Sequence, residues 1–272
     1  MEVSMKRITS ILLILVLALL VFACSEKDDD PTDVKVWGYQ LDQFITKAAV
    51  AAITDGAADT LDLRDLYAYE IVAEDGWSPR QSVNAGYDLA WENFSPHYIV
   101  PSDGNRIWLT DPKLPSAFKV RDTAEFRLYR KIRIDTGRAI KDVELGGLTI
   151  HQIPNWDGIT EDAVKLSELL ACVASYDSLS VVCFDGYGEG KYYQTEAIND
   201  GYYLLNTERT IFPTASIPNN MKKMKKVAYL RIFGATLNEH SYVNADRAKA
   251  DLVVTRPASF ESYIRTEMQT GE

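Results

Sequence analysis

Two Asp-Gly pairs, Asp75-Gly76 and Asp185-Gly186, offer the most regular chemistry in the chain, because each closes a β-rich run and precedes an aromatic residue. A carboxylate there can accept a ligand hydrogen bond at a pocket mouth. It can equally cap its own turn through side-chain to backbone bonds, while glycine supplies the positive φ that such a turn needs. The turn role is favoured, since the pair recurs beside otherwise unrelated neighbours. Tyr187, Tyr192, Tyr193, Tyr202 and Tyr203 cluster after the second pair, with Glu189 and Glu196 among them. Rings with polar tips suit glycan or peptide recognition, stacking through their faces and bonding through their hydroxyls. Alternate rings packed into a β core are the competing arrangement. Tyr187, Tyr192, Tyr193 and Tyr202 are therefore the candidate binding rings. Trp77, with Trp91 and Trp108, is their counterpart in the first half. Asp185, Glu189 and Glu196 would supply a hydrolytic carboxylate pair only if folding set their separation.

Other chemistries are less well served. His97, His151 and His240 lack metal-ligand spacing, and three Cys with three His are too few for a zinc cluster. No catalytic residue and no metal ligand is expected from spacing alone. Gly186-Tyr-Gly-Glu-Gly-Lys191 is one residue short of a phosphate-binding loop between its outer glycines, and Tyr192 follows the Lys where Ser or Thr is required. A formal charge of −10 argues against a nucleic-acid partner. Lys222, Lys223, Lys225 and Lys226 form an isolated basic patch that reads as a solvated turn, with anionic lipid or polysaccharide as the alternative neighbour.

The segments that position these residues begin after an address. Residues 1–23 read as a signal peptide: Lys6 and Arg7 precede the uncharged apolar run Ile11–Phe22, shorter than the ~20 residues of a spanning helix. The run ends at Val21-Phe22-Ala23-Cys24, which resembles the lipobox of bacterial lipoproteins. That resemblance implies cleavage before Cys24 and acylation of its thiol, by palmitate or similar chains, and two or more chains hold a protein stably on a membrane. The following Ser25-Glu26-Lys27-Asp28-Asp29-Asp30 resembles the signal that exports lipoproteins of the Bacteroidetes group to the cell surface. Residues 24–33 are then an acidic tether. The expected place is a bacterial outer membrane, held through the lipid anchor and exposed at the surface.

The body repeats itself. Gly38-Tyr-Gln-Leu-Asp-Gln-Phe44 is echoed by Gly147-Leu-Thr-Ile-His-Gln-Ile153, and Leu61–Leu66 by Val164–Leu169. Ile71-Val-Ala-Glu-Asp-Gly-Trp77 matches Val181-Val-Cys-Phe-Asp-Gly-Tyr187. Tyr98-Ile-Val matches Tyr203-Leu-Leu, Arg106-Ile-Trp-Leu matches Arg209-Thr-Ile-Phe, and Ala124–Tyr129 matches Val227–Ile232. Residues 34–140 and 141–236 are read as tandem domains near the common size of ~100 residues. Residues 237–272 are a C-terminal extension. Strands are expected at 34–41, 70–73, 148–153, 179–184 and 252–255, with helices at 44–53, 164–173 and 257–268. The fold class is β-dominated α+β.

In the second copy, Val164-Lys-Leu-Ser-Glu-Leu-Leu170, Ser180-Val-Val-Cys-Phe-Asp-Gly-Tyr187, Gly201-Tyr-Tyr-Leu-Leu205 and Lys225-Lys-Val-Ala-Tyr-Leu-Arg-Ile232 follow one another. This series resembles the molybdopterin-binding domain of the sulfite-oxidase type, with its Leu-x-x-Leu-Leu helix, a strand ending in Asp-Gly-Tyr and a closing strand. The resemblance implies two tandem copies of that fold, the first degenerate. It also implies a metal-binding Cys before the Leu-Leu helix, yet Leu148–Thr160 and Lys35–Asp59 contain none. No cofactor is therefore expected, and the expected role is non-catalytic: binding or assembly with a glycan, a peptide or an envelope protein. The alternative is a molybdopterin-dependent envelope oxidoreductase with an atypical metal site, built on His151 or a Cys brought close by folding. Cys172 and Cys183 are left open between a disulfide and two buried thiols.

Overall fold

The computed structural model describes residues 36–53, 61–81, 89–237 and 250–268. The signal segment, Cys24, the acidic tether and His240 lie outside the described residues. The chain divides into a compact unit of Gly38–Arg265 and a smaller one of residues 1–37 and 266–272. Of the smaller unit, only the ends of the strands Val36–Gln40 and Arg265–Met268 are described. No helix among the described residues is long and apolar enough to cross a membrane.

The fold is β-dominated α+β. Its main sheet is organised by one strand, Thr123–Asp135, whose sequence alternates except at Arg130, which takes a place on the apolar face. Phe126, Leu128, Ile132 and Ile134 are buried on one face, while Glu125, Arg127, Tyr129, Lys131, Arg133 and Asp135 take the other. Strand order runs Tyr192–Tyr193, Ser178–Cys183, Val227–Phe233, Thr123–Asp135, Tyr67–Ala73, Leu89–Ala90. The pairing between Val227–Phe233 and Thr123–Asp135 is parallel, and it joins two antiparallel halves. Leu252–Thr255 and Ile140–Glu144 add further antiparallel pairings along the long strand. A second sheet orders Arg209–Ile211, Tyr202–Leu204, Thr160–Lys165 and His151–Pro154.

The halves repeat down to single hydrogen bonds. Ala73 N donates to Trp77 O and Glu74 N to Asp122 O, just as Cys183 N donates to Tyr187 O and Phe184 N to Lys226 O. Register breaks at Val72/Ala73 and again at Val182/Cys183, one residue pair before each Asp-Gly turn. The non-glycine residues with positive φ also match: Asn105 with Glu208, and Asp122 with Lys226. Leu41 N bonds to His97 O as Leu166 N bonds to Gly201 O. Residues 39–44 therefore correspond to 164–169. The expected matches of Gly38–Phe44 with Gly147–Ile153, and of Leu61–Leu66 with Val164–Leu169, are corrected accordingly. The copies are also not separate bodies, because Gly38–Arg265 forms one unit around a shared sheet.

Two expected helices change. Thr160–Lys165 is a strand and only Leu166–Leu169 is helical, because Ala163 and Val164 bury by pairing with Tyr202–Leu204. Residues 257–264 form turns, with the strand Arg265–Met268 beyond them. Here Phe260 stacks on Tyr39 with centroids 4.7 Å apart and Tyr263 lies 4.8 Å from Phe44, so ring packing overrides helical preference. The helix expected over 44–53 covers Lys47–Ile53, and Leu252–Thr255 is a strand.

One core cluster spans Leu41 to Leu128 and the other Ile132 to Ile232. The long strand leaves the first and enters the second at residues 129–131. At that crossing Arg130 is buried, with its Nη2 2.9 Å from Glu208 Oε2, 3.0 Å from the Tyr203 hydroxyl and 2.7 Å from Val227 O. The Tyr203 hydroxyl also donates to Glu208. The ion pair thus links the first copy's last strand to the second copy's hairpin.

His97 is fully buried in the first core, with Thr110 N donating to its Nδ1 at 3.1 Å. Burial pushes its pKa down to about 4, against a small opposing pull from Asp111. The folded state therefore holds His97 neutral, and its contribution to stability is complete above the unfolded value near 6.5 and is lost as pH falls toward 4. Urea midpoints between pH 7 and pH 4 should show roughly 3 kcal/mol of loss from this group. His97→Gln should flatten that part of the slope; an unchanged slope in the variant contradicts this assignment.

Candidate functional site

A groove of about 370 Å³ opens where Thr123–Asp135 and Val227–Phe233 meet. The first copy supplies Asp65, Trp91 and Glu92 to its wall, and the second supplies Phe184, Ala228 and Tyr229. Lys131, Arg133 and Asp142 also line it, with Leu66 and Ala90. Pairing of Arg133 with Asp142 in one direction and with Tyr229 in the other follows directly from strand register. Lys131 is almost fully buried, and its Nζ lies 3.0 Å from Asp142 Oδ2, while Arg133 Nε donates to Asp142 Oδ1 at 2.9 Å. Burial works to raise the Asp142 carboxyl, but the hydrogen bonds and charges of Arg133 and Lys131 outweigh it and hold the group below the usual carboxylate range. Asp65, by contrast, is raised by burial and by the neighbouring charge of Asp62. Trp91 is half-buried, with the Arg64 guanidinium 4.1 Å from its ring centroid and Tyr69 packed at 5.3 Å. The groove thus offers ring surface beside fixed donors and acceptors.

The rings expected to form one binding face are not together. Tyr187 and Tyr192 are exposed, the first with its hydroxyl donating to Asn220 O and Lys191 Nζ 3.9 Å from its ring centroid, the second edge-on to Phe233. Tyr193 is a core side chain: its hydroxyl donates to Met221 O at 2.7 Å and its ring stacks on Phe212. Side chains alternate along a strand, so the neighbour of an exposed Tyr192 must turn inward. Tyr202 sits half-buried in the second sheet against His151, and Trp77 packs on the first core. Tyr203 is fully buried in the ion-pair network. Trp91 is the one expected ring that lines the groove.

Asp75 and Asp185 each accept the backbone N–H two residues on, from Trp77 and Tyr187, at 2.9 Å in both cases. Gly76 and Gly186 have φ +83° and +84°. Glu189 is paired with Arg231 and Glu196 lies in the first turn of the helix Thr195–Asp200, so Asp185 and Glu189 are each engaged in separate contacts. Cys172 and Cys183 are buried and free; burial pushes the Cys172 thiol up and the Cys183 thiol up to about 11. A molybdenum centre requires a thiolate that reaches a cavity. Cys183 lines no described cavity, Cys172 reaches only one of about 30 Å³, too small for a pterin, and His151 is occupied with Glu168 at 3.2 Å and Tyr202.

The groove's members come from segments far apart in sequence, so spacing does not reveal them. The charged face of the long strand was the available signal. No family model matches the chain, and no curated protein or solved structure matches it significantly.

Proposed function

We propose that the chain is a lipid-anchored envelope protein, acylated at Cys24 on an outer membrane, whose body holds a small hydroxylated ligand of the glycan type without catalysing a reaction. In this reading the two copies are inherited from a sulfite-oxidase-type molybdopterin-binding domain that has lost its cofactor ligands. The carrying observation is the groove itself, where Trp91 and Tyr229 stand beside the Lys131–Asp142–Arg133 cluster. A sugar presents apolar C–H faces to rings and hydroxyls to fixed polar groups, and this site offers both within one concavity. Asp142 accepts from two cations, so both of those cations are held in place before any ligand arrives.

Retention of the full chain, in detergent, on immobilised neutral glycans tests this reading. Trp91→Ala and Tyr229→Ala should each weaken retention by about tenfold, the effect of losing one ring contact of roughly 1.4 kcal/mol. Tyr187→Ala, which alters a ring outside the groove, should leave retention unchanged. Equal retention of all three variants contradicts the assignment of the site.

A further inference from the structure

We propose that a second surface, distinct from the groove, binds an anionic polysaccharide through Lys191, Arg209, Lys222, Lys223 and Lys225. None of these five cations makes an ion pair among the described residues, although the chain as a whole carries ten more negative than positive charges. They are held on one backbone frame. Arg209 and Lys225 face each other across an antiparallel bridge, Thr210 N donates to Met224 O, and the Thr210 hydroxyl donates to Lys222 O at 2.9 Å. The Tyr187 hydroxyl bonds Asn220 O and so ties the loop bearing Lys191 to the helix Asn219–Lys222. Of the carboxylates nearby, Asp185 accepts Tyr187 N and Glu189 is paired with Arg231.

The repeat supplies an independent observation. Ile107 N bonds Val120 O as Thr210 N bonds Met224 O, which places Lys119 and Arg121 at the positions of Lys223 and Lys225. Lys119 and Arg121 are exposed and likewise make no ion pair among the described residues. Arg106 corresponds to Arg209, though it is paired with Asp103 at 3.1 Å. Unpaired cations recurring at equivalent turns of two copies match a partner whose own charge recurs along a chain, and two weak contacts on one polymer reinforce each other. Lysine heads act as point charges that suit a repeating polyanion more than a single shaped ligand.

A polysaccharide fits better than a bilayer. Both rings in the patch are turned toward the protein through their polar tips, Tyr187 to Asn220 O and Trp156 Nε1 to Thr210 O at 3.2 Å. Lysine ammonium groups lie over both ring faces, Lys191 on Tyr187 and Lys223 on Trp156. Bilayer docking needs several apolar side chains that stand out and bury among acyl chains, and Ile159 in the turn bearing Trp156 is a single one.

The test measures binding of the mature chain carrying Cys24→Ser, free of acyl groups and of detergent, to polygalacturonate, dextran sulfate and neutral dextran, and to vesicles of phosphatidylglycerol with phosphatidylcholine. Both polyanions should bind more tightly than neutral dextran, and that excess should fall as salt rises. The triple variant Lys222→Gln, Lys223→Gln, Lys225→Gln should lose about tenfold or more in affinity for the polyanions, and Arg138→Gln, which removes an exposed cation outside both surfaces, should lose none. Salt-independent binding by the unaltered chain overturns the proposal without reference to any variant. So does equal binding of neutral dextran, or an unchanged triple variant. Tighter binding to the anionic vesicles than to either polyanion assigns the surface to lipid and overturns it as well.

Discussion

Glu208→Gln should lower the unfolding free energy by roughly 3–5 kcal/mol, because it leaves the Arg130 guanidinium buried without its counter-charge. Both side chains are at most 4% exposed, so water cannot take the missing role. Burial alone would lower the pKa of Arg130; Glu208 and Tyr203 reverse this and raise it above the ordinary arginine value. The guanidinium also donates to Lys131 O and Val227 O, so it cannot swing away without releasing two backbone carbonyls. Its position between the two core clusters makes the loss global, since the pair joins the strand shared by both copies to the second copy's hairpin. Glu189→Gln removes the exposed partner of Arg231 and should cost under about 1 kcal/mol. Urea unfolding of the two variants separates these cases. Equal, small losses would mean that the crossing is not held by the ion pair.

Gly188→Ala is the second large effect. Gly188 has φ +100°, and a methyl group there would stand far inside contact distance of the Val181 carbonyl oxygen and the Met224 terminal methyl. Strain at such a φ costs about 1–3 kcal/mol, and forcing atoms into a packed strand costs a similar amount. A loss of about 3–5 kcal/mol is expected, with the loop bearing Tyr187 and Lys191 displaced. Gly186→Ala meets nothing within 4 Å and pays only for φ +84°, about 1–2 kcal/mol. Thermal unfolding of the pair checks this order, and a Gly188→Ala variant as stable as Gly186→Ala contradicts the close approach.

Much of the fold was legible because its signals are local. Alternation over Ala124–Tyr129 dictates a strand, and Asp-Gly after a β-rich run dictates a turn with positive φ. The repeat was legible in outline and slipped in register. Tyr98 was matched to Tyr203, but hydrogen bonding sets it against Tyr202, since Gln40 pairs with Tyr98 as Lys165 pairs with Tyr202. A slip of one residue moves a side chain to the opposite face of the sheet. That is how a fully buried ring, Tyr203, came to stand beside a half-buried one in the sequence comparison.

The same limit explains the binding rings. Tyr192 and Tyr193 are equivalent as letters, and only pairing with Ser180 and Leu179 decides which one faces the core. The groove was less legible still. Asp65, Trp91, Lys131, Asp142 and Tyr229 meet through the parallel pairing of two distant strands, which composition and spacing do not encode. Lys222, Lys223, Lys225 and Lys226 stand out as a basic patch, though Lys226 is buried. What could not be read was their joining by Arg209 across a bridge and by Lys191 through the Tyr187 hydroxyl.

The most direct test of the groove is acrylamide quenching of tryptophan fluorescence in the full chain, with and without a retained neutral glycan, compared with Trp91→Phe. Bound glycan should shield one quenchable tryptophan in the unaltered chain, and that protection should vanish in Trp91→Phe while the remaining emission is unchanged. Protection that persists in the variant would place the ligand away from the groove and contradict the account.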